Sequence, residues 1–204
     1  MNIHMYRSLA LCLLIAFVGA GCTGKTPQAV YYTLNVTKDA DAPLQVTAPA
    51  QDILVGIGSV KFPDELDRPS IVTRSGQNRL EVNEFHRWGG SLKKNFTRVV
   101  VENISIFMKT DQVMARPWER YFQPDVRITF DIRQFDGRLG EYAALNLTWM
   151  VFKKKQEEPL IVRRSHIKEP VTDNSYDALV AAQSRAISRL CREITEAWSQ
   201  QPMK

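Results

Sequence analysis

Val126-Arg-Ile-Thr-Phe-Asp-Ile-Arg133 is the stretch on which the fold turns. Val126, Ile128, Phe130 and Ile132 alternate with Arg127, Thr129, Asp131 and Arg133, and a period of two puts the apolar and polar rows on opposite faces of a strand. A strand with one wet face belongs in an antiparallel sheet, because parallel sheets are covered on both sides. Just downstream, Phe135-Asp-Gly137 supplies turn chemistry, and Ala143 to Phe152 returns as a strand with Leu145, Leu147, Trp149 and Val151 on one side. Lys153-Lys-Lys-Gln-Glu-Glu-Pro159 breaks the pattern, and Leu160 to Ile167 completes a meander. The three lysines read first as a solvated hairpin tip, and second as a contact for anionic headgroups or an acidic partner.

Upstream the same period recurs. Val30 to Thr37, rich in β-branched and aromatic residues, predicts a first strand, and Asp39 to Gln51 predicts a loop. Ile53, Val55 and Ile57 start a second strand that ends near Pro63. Ile71 to Arg74 and Arg79 to Asn83 form a hairpin through Ser75-Gly-Gln-Asn78. After Glu84 the period becomes helical: Trp88, Leu92, Phe96, Val99, Val100, Asn103 and Phe107 share a stripe, with Gly89-Gly90 pushing the onset toward Ser91. Val113 to Ala115 predicts a brief strand cut off by Pro117. A final helix begins near Asn174, capped by Ser175 or Asp173, with Leu179, Ala182, Ala186, Ile187, Leu190, Cys191, Ile194 and Trp198 at helical spacing. The expectation is one α+β domain, a predominantly antiparallel sheet covered by two amphipathic helices.

The N-terminus stands apart from this domain. Arg7 precedes an apolar run to Val18 that is too short to span hydrocarbon and is followed by small residues, the three parts of a secretory signal over residues 1–21. Gly19-Ala-Gly-Cys22 resembles the lipobox of bacterial lipoproteins, with Gly19 where that pattern prefers an aliphatic residue. Cys22 is then the acylated first residue of the mature chain, residues 22–29 a tether, and residues 30–204 the periplasmic domain. Thr23, where an Asp would retain such a lipoprotein in the inner membrane, implies the outer membrane. Cys12 leaves with the signal, so Cys191 remains as a lone thiol on the apolar face of its helix, expected to be buried and inert.

Composition and motifs narrow the function. The chain has 204 residues, 44% hydrophobic and 24% charged, with a net charge of +5. These values exclude a disordered or polytopic membrane protein and carry no nucleic-acid signature. His86 and His166 belong to no metal-binding spacing, and no metal or other cofactor is implied. Gly56-Ile-Gly58 lacks the third glycine and following helix of a dinucleotide loop and reads as two close-approach glycines. Ser59 lacks a nucleophile elbow. Asp64/Glu65 and Glu157/Glu158 fall in turns. The expectation is a non-enzymatic protein.

Tyr31-Tyr-Thr-Leu34 soon after the anchor, Ile53-Leu-Val-Gly56, Leu66-Asp-Arg-Pro69, Ile71-Val-Thr-Arg74, Asn78-Arg-Leu80, Trp88 with Leu92, Phe135-Asp-Gly-Arg138, Trp149 and Tyr176-Asp-Ala-Leu-Val180 follow one order. In that order the sequence resembles the ABC-type transport auxiliary lipoprotein family across essentially all of the mature domain. The resemblance implies an outer-membrane-anchored periplasmic component of a lipid-transport apparatus. Its partners would be an MCE-domain protein forming a hydrophobic tunnel and the inner-membrane permease and ATPase behind it. The lipoprotein would dock the distal end of the tunnel, a role that a symmetric homo-oligomer could fill. Arg68, Arg74 and Trp88 are candidate partner contacts, with core and turn roles as the competing reading for Trp88 and Arg68. An alternative function is a lipoprotein that binds and regulates a periplasmic cell-wall enzyme.

Overall fold

The structure is a computed structural model that describes residues 27–37 and 53–201. The signal, Cys22, most of the tether and the Asp39 to Gln51 stretch lie outside the described residues. Among the described residues eight strands and two helices follow in the order β1 (Val30–Tyr32), β2 (Val55–Lys61), β3 (Ser70–Arg74), β4 (Leu80–Trp88), α1 (Leu92–Met108), β5 (Val113–Ala115), β6 (Val126–Arg138), β7 (Tyr142–Lys153), β8 (Ile161–Pro170) and α2 (Tyr176–Ser199). They form one α+β domain with a three-stranded sheet, β1-β4-β3, and a five-stranded sheet, β5-β2-β6-β7-β8.

The meander β6-β7-β8 is antiparallel along its whole length, as its alternation requires. The sheets are nonetheless mixed, because β1 runs parallel to β4, and β2 runs parallel to both β5 and β6. Phe135-Asp-Gly137 is not a turn. β6 continues through it to Arg138, and the chain reverses two residues later, at Gly140, whose φ is +68°. Gly137 serves a different need: a Cβ there would lie 2.3 Å from the Tyr142 carbonyl oxygen and 2.7 Å from Leu179 Cδ1, so the missing side chain lets α2 settle on the sheet.

Both helices cover one face of the five-stranded sheet. Phe96 of α1 meets Phe130 and Phe135 edge-on, and Glu193 of α2 accepts from Ser165, whose hydroxyl also takes the Trp149 indole N–H at 2.9 Å. The α2 start is built as its sequence predicts, with the Ser175 hydroxyl accepting from the Ala178 N–H. The helical stripe loses its first member: Trp88 is the buried last residue of β4, its N–H donating to the Pro69 carbonyl at 2.7 Å, and α1 starts after Ser91. Gly89-Gly90, with Gly90 at φ +135°, separates the two elements.

The first strand is shorter than its composition suggests. It stops at Tyr32, and the next residues strap the helices together. Thr33 donates to Asn95, the Leu34 carbonyl accepts from Arg98, and the Asn35 N–H donates to Ser184 at 3.2 Å. Helix side chains thus take the hydrogen bonds that a neighbouring strand would have supplied.

Candidate interaction surface

The face of the five-stranded sheet opposite the helices is covered at Gly56 by the Trp118 and Pro124 side chains and is exposed toward β8, at Val162 and Arg164. Register assigns its rows: Met114, Gly56, Arg127 and Phe152 lie across the sheet, then Thr129, Met150 and Val162, then Asp131, Thr148 and Arg164. Val162 is 57% exposed and Met114 37%. Arg127 lies over the Phe152 ring at 4.3 Å and Lys168 over Tyr142 at 3.9 Å. The surface is therefore apolar in its rings and aliphatic groups and basic at its rim, with Asp131 as an acidic member.

One polar chain crosses this face, and its polarity can be followed atom by atom. Arg74 Nε donates to Asp136 Oδ2 at 2.8 Å, and Gln134 Nε2 donates to the other carboxylate oxygen at 2.7 Å. A carboxylate only accepts, so the Gln134 amide is oriented with its oxygen outward. That oxygen takes the Asn146 Nδ2 proton at 2.5 Å. Asn146 Oδ1 is left to accept, so the His166 Nδ1 nitrogen 3.2 Å away carries the proton in this bond. An exposed imidazole is thereby oriented by a carboxylate that is 2% exposed.

The candidate contacts separate on this frame. Arg74 is turned inward to Asp136 and also donates to the Gln77 carbonyl at 3.0 Å. Trp88 is 4% exposed and fills core beside β3. Arg68 remains exposed on a turn made by Leu66 N–H to Pro63 and Asp67 N–H to Asp64. Cys191 is fully buried, and burial pushes its thiol far up from the ordinary range. Among the described residues, no three His, Cys, Asp or Glu side chains group as a metal site, and no helix is long and apolar enough to cross a membrane.

A second group was missed in the sequence. His86 stacks on Tyr176 at 3.9 Å between centroids and 9° between planes, and its Nδ1 shares a 2.7 Å hydrogen bond with the Tyr32 hydroxyl. Burial first, then Asp177 and Tyr176, raise the Tyr32 phenol above its usual value. The cluster joins β1, β4 and α2 at their shared corner. Its members are far apart in sequence, and only the parallel β1/β4 register, Val30 against His86, brings them together.

The family profile described as ABC-type transport auxiliary lipoprotein component matches residues 32–195. The chain belongs to this family. The match spans all of the described secondary structure except the first strand's beginning and the end of α2. No curated protein shows significant sequence similarity to this auxiliary lipoprotein. Two solved structures share its fold. A crystal structure of an uncharacterized protein aligns with TM-score 0.68 at 15% identity, covering 85% of this chain and 99% of the other. The Xanthomonas campestris protein XCC0632, a DUF330 protein, aligns with TM-score 0.66 at 18% identity, covering 85% of the auxiliary lipoprotein and 100% of the other.

Proposed function

We propose that this auxiliary lipoprotein is a non-enzymatic component of an MCE/ABC-type lipid-transport system, held by acylated Cys22 on the periplasmic face of the outer membrane. Membership of the ABC-transport auxiliary family carries the reading. The lipobox-like Gly19-Ala-Gly-Cys22 supports the anchor, and the sheet face exposed toward β8 supports a docking role.

The physical task is to end a hydrophobic conduit at a bilayer. Each CH₂ of a lipid chain left in water costs ~0.8 kcal/mol, so an apolar tunnel must be sealed where it meets the receiving membrane. Several acyl chains on one cysteine give stable anchoring. The seven residues from Thr23 to Ala29 reach at most about 25 Å, at ~3.3–3.6 Å per residue. The domain therefore works next to its membrane, with the basic and apolar sheet face available to a tunnel partner. The non-enzymatic reading draws support from the groups that could have reacted: His86 and His166 are engaged by neighbouring side chains, and Cys191 is sealed in the core.

Replacing Cys22 with Ala should release the protein from the outer-membrane fraction, read by membrane fractionation. Unchanged fractionation overturns the anchor. Crosslinking in cells and recovery of the lipoprotein should bring down an MCE protein; recovery of a peptidoglycan enzyme instead would replace the transport role with a regulatory one.

A further inference from the structure

β5 is only three residues long, and β2 outlasts it. Their pairing ends where the Arg116 N–H donates to the Ile57 carbonyl at 3.0 Å, and the chain then turns away at Pro117. Beyond that point Gly58 to Lys61 has, among the described residues, no strand beside it on the β5 side. A groove of about 530 Å³ opens there, lined by Gly58, Ser59, Val60, Lys93, Thr97 and the Arg116-Pro-Trp118 segment. Its floor is the free edge of β2, one wall is the first two turns of α1, and the other is the segment after β5.

The side chains in this groove share one chemistry. Lys93 and Arg116 are exposed, and neither enters an ion pair among the described residues. The Arg116 guanidinium sits 4.9 Å from the Trp118 ring centroid, which holds the charge at the groove without neutralising it. The Ser59 hydroxyl stands nearby, the Thr97 hydroxyl donates to the Lys93 carbonyl at 2.7 Å, and among the described residues no acidic side chain lines the cavity. The first turn of α1 carries Lys93-Lys94 and no acid. Beside Arg116 lie the half-buried Trp118 and, bonded through its carbonyl to the Trp118 indole N–H at 3.2 Å, Met114 at 37% exposure. An indole ring next to exposed cations matches the layer of a lipid where phosphate gives way to glycerol and acyl chain.

We propose that this groove is a binding site for the headgroup of an anionic phospholipid. Lys93 and Arg116 take the phosphate, Ser59 donates to one of its remaining oxygens, and Trp118 with Met114 covers the glycerol end. The proposal rests on the transport reading for its biological use, but not for its test. Loss of the MCE partner would leave headgroup binding intact, and absence of headgroup binding would leave docking intact.

The test is native mass spectrometry of the full chain in neutral detergent, titrated with dihexanoyl phosphatidylglycerol. Saturable binding of one lipid per chain is expected. Lys93→Gln/Arg116→Gln should weaken it at least fivefold, whereas Lys153→Gln/Lys155→Gln, which removes the same charge at the β7–β8 tip, should leave it within twofold. Dihexanoyl phosphatidylcholine should bind several-fold more weakly than phosphatidylglycerol. Equal weakening in both double variants reduces the effect to overall charge and overturns the site. Glycerol 3-phosphate binding as tightly as the lipid overturns the lipid assignment in favour of a free phosphate compound. Displacement of the lipid by hexaglutamate at equal or lower concentration assigns the groove to an acidic protein segment instead.

Discussion

Arg74 and Asp136 meet at 2.8 Å with side chains 24% and 3% exposed, so the carboxylate has little water to fall back on. Removing one partner of such a pair leaves a buried charge, and the cost then exceeds what the intact pair contributes. Arg74→Met should therefore destabilise the domain by about 3 kcal/mol in urea unfolding. Arg74→Met/Asp136→Leu should cost less than the single substitution, because no unpaired charge remains. A double variant worse than the single would show that the Gln134 bond, not the charge, is what the site needs. Asp173 works in the opposite setting, fully solvated ahead of α2. Hydrogen bonds from Ser175, through its side chain and its backbone N–H, hold its carboxyl below the usual 3.8. A depressed native value means a contribution that is complete above the ordinary value and disappears as pH falls through the lower native one. The stability gap between the protein and its Asp173→Ala variant should thus be constant from neutral pH down to about pH 4 and close below it. A gap that persists at pH 2 would remove the carboxylate from the cap.

At the scale of the elements, Gly137 marks where strand and helix meet. Gly137→Ala puts a methyl 2.3 Å from the Tyr142 carbonyl oxygen and 2.7 Å from Leu179, and overpacking against backbone that cannot yield should cost about 3 kcal/mol. A substitution that leaves the urea midpoint within error would mean that β7 and α2 can separate at no cost. The same residue explains what the sequence allowed one to see. The alternation of β6 and the 3.6 spacing of α2 are local patterns set by burial, and both elements form where those patterns lie. Phe135-Asp-Gly137 carries the residues of a turn, yet its glycine answers to Leu179 of α2, a contact invisible without the fold. Trp88 fits the helical stripe by spacing, but Gly89-Gly90 and the Pro69 carbonyl end the strand there first. The polar chain from Arg74 to His166 was illegible for a similar reason: its members lie on four strands, and only register aligns them. The buried Cys191, by contrast, follows directly from its place on the apolar face of α2.

For the whole molecule the question is whether two sheets make one folding unit. The three-stranded sheet has little to hold it alone, since β4 is exposed or half-buried along most of its length and a small isolated sheet is marginal in water. Its buried residues, Tyr32, Ile71, Val72 and Trp88, join the same apolar cluster as Phe96 of α1, Phe130 of β6 and Leu179 of α2. Phe62, on the connection between β2 and β3, packs edge-on against Phe96 at 5.5 Å and leans on Phe135 at 6.3 Å. The Thr33 to Asn35 strap bonds to both helices, and Arg74 of β3 reaches Asp136 of β6. Every route that would free the small sheet also opens the main core, so thermal unfolding should be a single transition with equal calorimetric and van't Hoff enthalpies. Cys191 offers an independent reporter, because a thiol sealed under α2 and pushed up by burial reacts with maleimide only when that core opens. Its labelling midpoint in urea should coincide with that of far-ultraviolet circular dichroism. An earlier transition in the dichroism, with Cys191 still protected, would mean that the β1-β4-β3 sheet detaches first and that the cluster shared between the sheets does not couple them.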